Sequence, residues 1–112
     1  MKGEIQMNSI ETIKEAITLK KAIIFEYNKE GKVKGDRIGN PHAIFIHIST
    51  RNITVDIYQI GGVTDGNDNF PKWGQFLIDH IENVRIINKN FDLADGYNPI
   101  SPKYKELIIK AV

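Results

Sequence analysis

The chain has 112 residues, 41% hydrophobic and 26% charged, which fits one globular domain and excludes a disordered segment. Its formal net charge of +1 gives neither an overall electrostatic footprint for nucleic acid nor a polybasic membrane signal, though it leaves room for a local basic patch. The absence of cysteine excludes thiol catalysis and a disulfide framework, removes the preferred ligands of structural zinc, and points to a cytoplasmic setting.

The longest apolar runs are four residues, Ala22–Phe25 and Ala43–Ile46, where a membrane span needs about 20. Met1-Lys2-Gly3-Glu4 lacks the apolar core of a signal peptide. Residues 1–8 read as a flexible lead, with Met7 as a second candidate start, ahead of a single domain over 9–112. Asn8 and Glu11 have capping-box spacing, and Ile10, Ile13 and Ile17 repeat at helical spacing, which predicts a helix over 9–20.

From Ala22 the period becomes two. Ile23, Phe25 and Tyr27 share one strand face, with Ile24 and Glu26 on the other. A turn at Asn28-Lys29-Glu30-Gly31 leads into a return segment, Lys32 to Ile48, interrupted by Gly39-Asn40-Pro41. That interruption predicts one long, sharply bent strand or two strands meeting at a corner. After a hairpin loop at Ser49–Asn52, Ile53, Val55 and Ile57 alternate against Thr54, Asp56 and Tyr58 in the clearest strand. The polar stretch Val63–Lys72 reads as the longest loop. Strands over 73–78 and 84–87, with a turn at 80–83, precede an irregular connector from Phe91 to Pro99. Ser101-Pro102 reads as a cap and first helical residue, and Tyr104, Leu107, Ile108 and Ala111 predict a C-terminal helix over 102–111. The sum is mainly β with flanking helices, arranged as a small bent barrel that would remove sheet edges.

Ile24-Phe25-Glu26-Tyr27, then Arg37 four residues before Pro41, then Phe76-Leu77-Ile78-Asp79-His80-Ile81, then Val84 and Phe91, follow one another in an order that resembles the WYL domain family. The resemblance covers roughly 10–92 and extends toward Tyr97-Asn98-Pro99. The name-giving Trp-Tyr-Leu is absent, with Ile53-Thr54-Val55 near its place, and Leu77 and His80 stand where the family usually carries arginines. The resemblance implies an Sm-like, strongly bent five-stranded β-barrel. It also implies binding of a nucleic acid or nucleotide-like anion, and a place beside a helix-turn-helix in bacterial regulators and phage-defence proteins. The residues ahead of the barrel are too few for a helix-turn-helix, so regulation of transcription would need a separate DNA-binding partner.

By matched position the ligand face is Arg37 as anion clamp, Tyr27 and Tyr58 as ring-and-hydroxyl contacts, and Gln75 and His80 as polar contacts. Lys29, Lys32, Lys34 and Arg37 form a basic hairpin diluted by Glu30 and Asp36, and Trp73 beside Lys72 offers a stacking ring or a core anchor. No metal site is expected. His42 and His47 are an odd number apart and point to opposite faces of a straight strand, and a half-buried or solvated role is the ordinary one for the three histidines. Asp65, Asn67 and Asn69 mimic a calcium loop, but Phe70 stands where glycine is required. Gly61–Gly66 lacks the Gly-Lys-Ser/Thr of a phosphate loop. Asp56 and Asp79 could pair as acid and base, against the commoner role of aspartates that bond strand-end amides. The reading is a non-catalytic ligand-sensing module without a cofactor. The alternative is a protein-interaction or oligomerisation module, forming a homo-oligomer through its strands and isoleucine-rich faces.

Overall fold

The computed structural model of the chain describes residues 2–66 and 69–112, with side chains from residue 9 onward. Helix α1 (Lys2–Leu19) precedes strands β1 (Lys21–Tyr27), β2 (Asp36–Ile46), β3 (Ile53–Gly62) and β4 (Lys72–Leu77). A 3-10 turn (Ile78–His80) then leads to β5 (Ile81–Asn90), and a second one (Pro102–Tyr104) to β6 (Leu107–Lys110).

The helix buries Ile13, Ala16 and Ile17, with Ile10 packed partly against the same core, as the 3.6-residue period requires. It begins at Lys2 rather than at 9, so Asn8 lies within it and does not mark its start. Glu4, Ile5, Gln6 and Met7 are residues that a helix accepts, and no proline interrupts them. The helix stops at Lys20, whose φ of 53° leaves the helical region.

Ile23, Phe25 and Tyr27 of β1 enter the main core with Ile44, Val55, Ile57 and Phe76. The expected bend in the second strand is present within one continuous strand of 11 residues, with register shifts at Ile38/Gly39 and Pro41/Ala43. Gly39 is required there because a Cβ would stand 2.4 Å from Ile57 Cγ2. Beyond the bend β2 leaves β1. Its first half pairs with β1 through Ile23↔Gly39 and Phe25↔Arg37, and its second half pairs with β6 through Ala43↔Lys110 and Phe45↔Leu107.

That change of partner corrects the C-terminal expectation. Ser101 caps a 3-10 turn of only three residues, and the chain then extends as β6 instead of continuing a helix to 111. The buried backbone of Ala43–Phe45 needs hydrogen-bond partners, and the β-branched Ile108 and Ile109 suit a strand. Ile46 N–H donates to Glu106 O (2.9 Å) and Ala111 N–H to His42 O (2.7 Å), completing that edge.

The sheet order is β4-β3-β2-β1-β5, with β6 beside β2 and all pairs antiparallel. Six strands form an open sheet where a closed five-stranded barrel was expected. Among the described residues no ladder joins β4 to β5, so sheet edges remain. The turn between those strands falls at 78–80, earlier than expected, and the longest irregular stretch is 91–101 rather than the loop after β3. That connector covers a second small core of Ala43, Phe45 and Tyr104 on the other face of β2, with Tyr97 against it.

Candidate functional site

Arg37 sits in β2 between β1 and the end of β3, where the sheet is two-sided, and its side chain is 1% exposed. A buried guanidinium requires compensation. Its Nη2 donates to Val33 O and to Asp65 Oδ1, both at 3.0 Å. The same Asp65 oxygen accepts from Val33 N–H at 2.6 Å, so one carboxylate ties the approach to β2 to the loop after β3. Burial acts to raise the Asp65 pKa, but the Val33 amide, the Arg37 guanidinium and Lys32 outweigh it and hold the carboxyl below its usual value. The guanidinium carbon lies 5.9 Å from the Tyr27 ring centroid and 5.7 Å from that of Phe76. Arg37 Nε is fully buried and has no hydrogen-bond partner among the described residues.

Arg37 lies on a hollow of about 410 Å³ whose lining includes Tyr27, Lys29, Lys32, Lys72 and Gln75. Lys72 bonds Thr64 Oγ1 and lies 5.9 Å from the Phe70 ring centroid. Among the described residues Asp65 is the one carboxylate on this lining, against four basic side chains. Tyr27 accepts from Leu77 N–H at 3.0 Å, and burial pushes its pKa up although that bond and Arg37 oppose the shift. Gln59, buried at the back, donates to Gly61 O (3.0 Å) and Val63 O (2.7 Å) and shapes the exit of β3.

Of the five residues expected at a ligand face, three meet here: Arg37, Tyr27 and Gln75. Tyr58 does not. It shares a face of β3 with Asp56, whereas Gln59 on the alternate face reaches the hollow, and its ring packs on Trp73 at 5.0 Å. His80 does not line the hollow either. Its Nδ1 bonds Asn28 O at 3.1 Å, and its ring stands 6.0 Å from that of Tyr27.

Trp73, Gly74 and Gln75 of β4 also line a second pocket, of about 370 Å³. Its floor is Asp56, 2% exposed, whose Oδ2 accepts from Tyr104 Oη at 2.6 Å and pairs with Lys103 Nζ at 2.8 Å. Trp73 and Tyr97 stand near-parallel across it, 6.3 Å apart at 28°. Trp73 Nε1 donates to Asp95 O at 2.8 Å, and Gly96 (φ +85°) allows the approach, since a Cβ there would stand 3.2 Å from that nitrogen. Burial, then the Asp56 bond and charge, raises the pKa of Tyr104, and burial with the Asp56 charge raises that of Tyr97, so both phenols remain protonated donors. Tyr97 Oη donates to Ala111 O at 2.7 Å.

Behind these rings lies His42, fully buried. Ala94 N–H donates to Nε2 (3.1 Å), which leaves Nδ1–H to donate to Asn40 O (2.8 Å) and fixes the neutral tautomer. Burial lowers its pKa, against the Asn40 carbonyl and Asp56. Its ring lies 4.9 Å from Trp73 and 4.8 Å from Tyr97, so it fastens the connector to β2.

The sequence reading missed three of these roles. Asp65 stood out only as part of a calcium-like run, and His42 was expected to be half-buried or solvated. For Asp56 the expected roles are a bond to strand-end amides or, less commonly, an acid–base pair with Asp79; it bonds Tyr104 and Lys103 instead, and Asp79 lines a different hollow with Ser9 and Ile10. The available signal for Asp56 was a lone acid inside an eight-residue run of strand formers; its partners, 47 and 48 residues away, left none. Among the described residues no group of three His, Cys, Asp or Glu is placed to hold a metal ion, and no helix is long and apolar enough to cross a membrane. No known protein family, curated protein or solved structure matches the chain.

Proposed function

We propose that the domain is a non-catalytic, WYL-like ligand-sensing module that holds a nucleotide-like anion or a nucleic-acid phosphate in the hollow beside Arg37. The observation that carries this reading is the buried guanidinium: one nitrogen is matched to Asp65 while Nε has no hydrogen-bond partner among the described residues, in a hollow whose other described charges are lysines. A phosphate oxygen is a strong acceptor for such a donor, and Lys29 and Lys32 at the same hollow add charge that a phosphate would neutralise. The Tyr27 ring beside the guanidinium fits the ring contact expected from the resemblance. The order β4-β3-β2-β1-β5, with a single 3-10 turn between β4 and β5, supports the Sm-like reading of the bent sheet even though the sheet stays open.

Trp73 is the only tryptophan and lines the hollow, so its fluorescence reports directly on a titration. Inorganic phosphate, a nucleoside monophosphate and a short single-stranded oligonucleotide are the probes. Arg37→Gln should weaken binding by about tenfold or more, the scale of one charge-assisted hydrogen bond. Lys32→Ala, at an exposed position, serves if the Arg37 variant does not fold, and should weaken binding and flatten its salt dependence. Binding indifferent to both substitutions and to salt would sink the proposal.

The oligomerisation reading keeps one specific observation. Beside the open edge of β6, Ile100 and Val112 are 83% and 81% exposed, and Leu107 and Ile108 are also exposed. A concentration-independent oligomer in light scattering, with none of the three probes bound, would favour it.

A further inference from the structure

The aromatic pocket on the Asp56 side of β4 has a chemistry that anion binding does not use. A buried carboxylate forms its floor, and Trp73, Tyr97 and Tyr104 stand around it. The chain itself shows what this setting attracts. The Lys103 ammonium lies 2.8 Å from Asp56 Oδ2, 5.3 Å from the Tyr104 ring centroid and 5.8 Å from that of Phe45. A carboxylate and two ring faces around one ammonium make a cation site.

Lys103 occupies that site only from the rim. Its side chain is 44% exposed, and the pocket of about 370 Å³ remains open beside it. We propose that this pocket binds a primary alkylammonium group. The incoming amine displaces Lys103 from Asp56, and its carbon stem lies against the Trp73 and Tyr97 rings. Displacement exchanges one ammonium for another at the buried Asp56 carboxylate, which is never left unpaired, and the released Lys103 ammonium, whose side chain is already 44% exposed, is hydrated by water. Asp56 does not lose its Tyr104 bond in the exchange. An anion would be repelled by the Asp56 charge, and an uncharged ligand would forgo the charge attraction that an ammonium gains there. Gln75, Asn98 and Ser101 on the lining can orient polar groups carried on the same ligand. The amine can come from a free polyamine or from a lysine side chain of a peptide; the recognised chemistry is the same.

The test is titration of the whole chain, by calorimetry and Trp73 fluorescence, with butylammonium, spermidine and Nα-acetyl-lysine amide against sodium chloride at matched ionic strength. Wild-type protein should bind saturably. Lys103→Met keeps the stem but removes the competing charge, and should bind about tenfold more tightly. Asp56→Asn should abolish binding, and if that variant does not fold, wild type against Lys103→Met decides alone. Preference for Nα-acetyl-lysine amide identifies a peptide lysine, and preference for spermidine a free polyamine. Lys103→Met binding no tighter than wild type, undiminished binding by folded Asp56→Asn, or responses that sodium chloride reproduces would overturn the proposal.

Discussion

The hollow at Arg37 and the pocket at Asp56 share three residues of β4 and solve opposite problems. Each places a side chain of one charge sign out of water, and each neutralises it with a partner from a distant stretch of chain. The partners differ in completeness. Asp65 satisfies one nitrogen of Arg37 and leaves Nε without an acceptor among the described residues, whereas Tyr104 and Lys103 converge on one oxygen of Asp56. A buried charge with spare donor capacity is poised for an anion. A buried charge closed by a movable lysine under aromatic rings is poised for an exchange of cations. Matching the charge fixes the fold; the excess at one site and the exchangeability at the other are the features on which the two proposals rest.

Breaking that symmetry at the anion hollow should have the largest effect. Asp65→Ala leaves the Arg37 guanidinium buried without its carboxylate, which should cost about 3 kcal/mol in urea unfolding, the lower end for such a loss because Asp65 is 32% exposed. Added phosphate should restore part of that stability. A loss below about 1 kcal/mol would mean that water already reaches Arg37. At the aromatic pocket, Tyr104→Phe removes the donor to Asp56 and should cost about 1.5–3 kcal/mol, the range for a bond to a charged group. A neutral outcome would show that Lys103 alone compensates the carboxylate.

The smallest effect is a pH slope. His42 is held neutral with its pKa depressed chiefly by burial, while the unfolded chain titrates near 6.5. The native state therefore binds fewer protons, and the stabilisation is complete above that pH and declines as pH falls toward the native value. One proton limits the slope to about 1.4 kcal/mol per pH unit. His42→Gln should flatten the stability curve below pH 6.5, read from denaturant midpoints across that range. An unchanged slope would place the proton uptake elsewhere.

Much of the framework was legible because it depends on local period. Ile13 and Ile17 announced a buried helix face, Ile23, Phe25 and Tyr27 a core strand face, and Gly39-Asn40-Pro41 a bend. The C-terminal segment misled for a reason that is not local. Tyr104, Leu107, Ile108 and Ala111 satisfy a helical period, but the free edge of β2 past its bend needs hydrogen bonds that only a strand supplies. Of the five residues expected at a ligand face, Arg37, Tyr27 and Gln75 line one hollow, whereas strand alternation and the 3-10 turn hold Tyr58 and His80 away from it.

The sequence by itself determined a mainly β fold, the inward faces of α1, β1 and β3, and the position of the bend, because side-chain period and backbone restriction act within a few residues. Only the tertiary structure decided which acid meets Arg37, which rings stand over Asp56, and that the sheet stays open with β6 completing it. Arg37 and Asp65 are 28 positions apart, Asp56 and Tyr104 are 48, and Ala43 and Lys110 are 67, and what selects such pairings is the need to compensate buried charge and backbone.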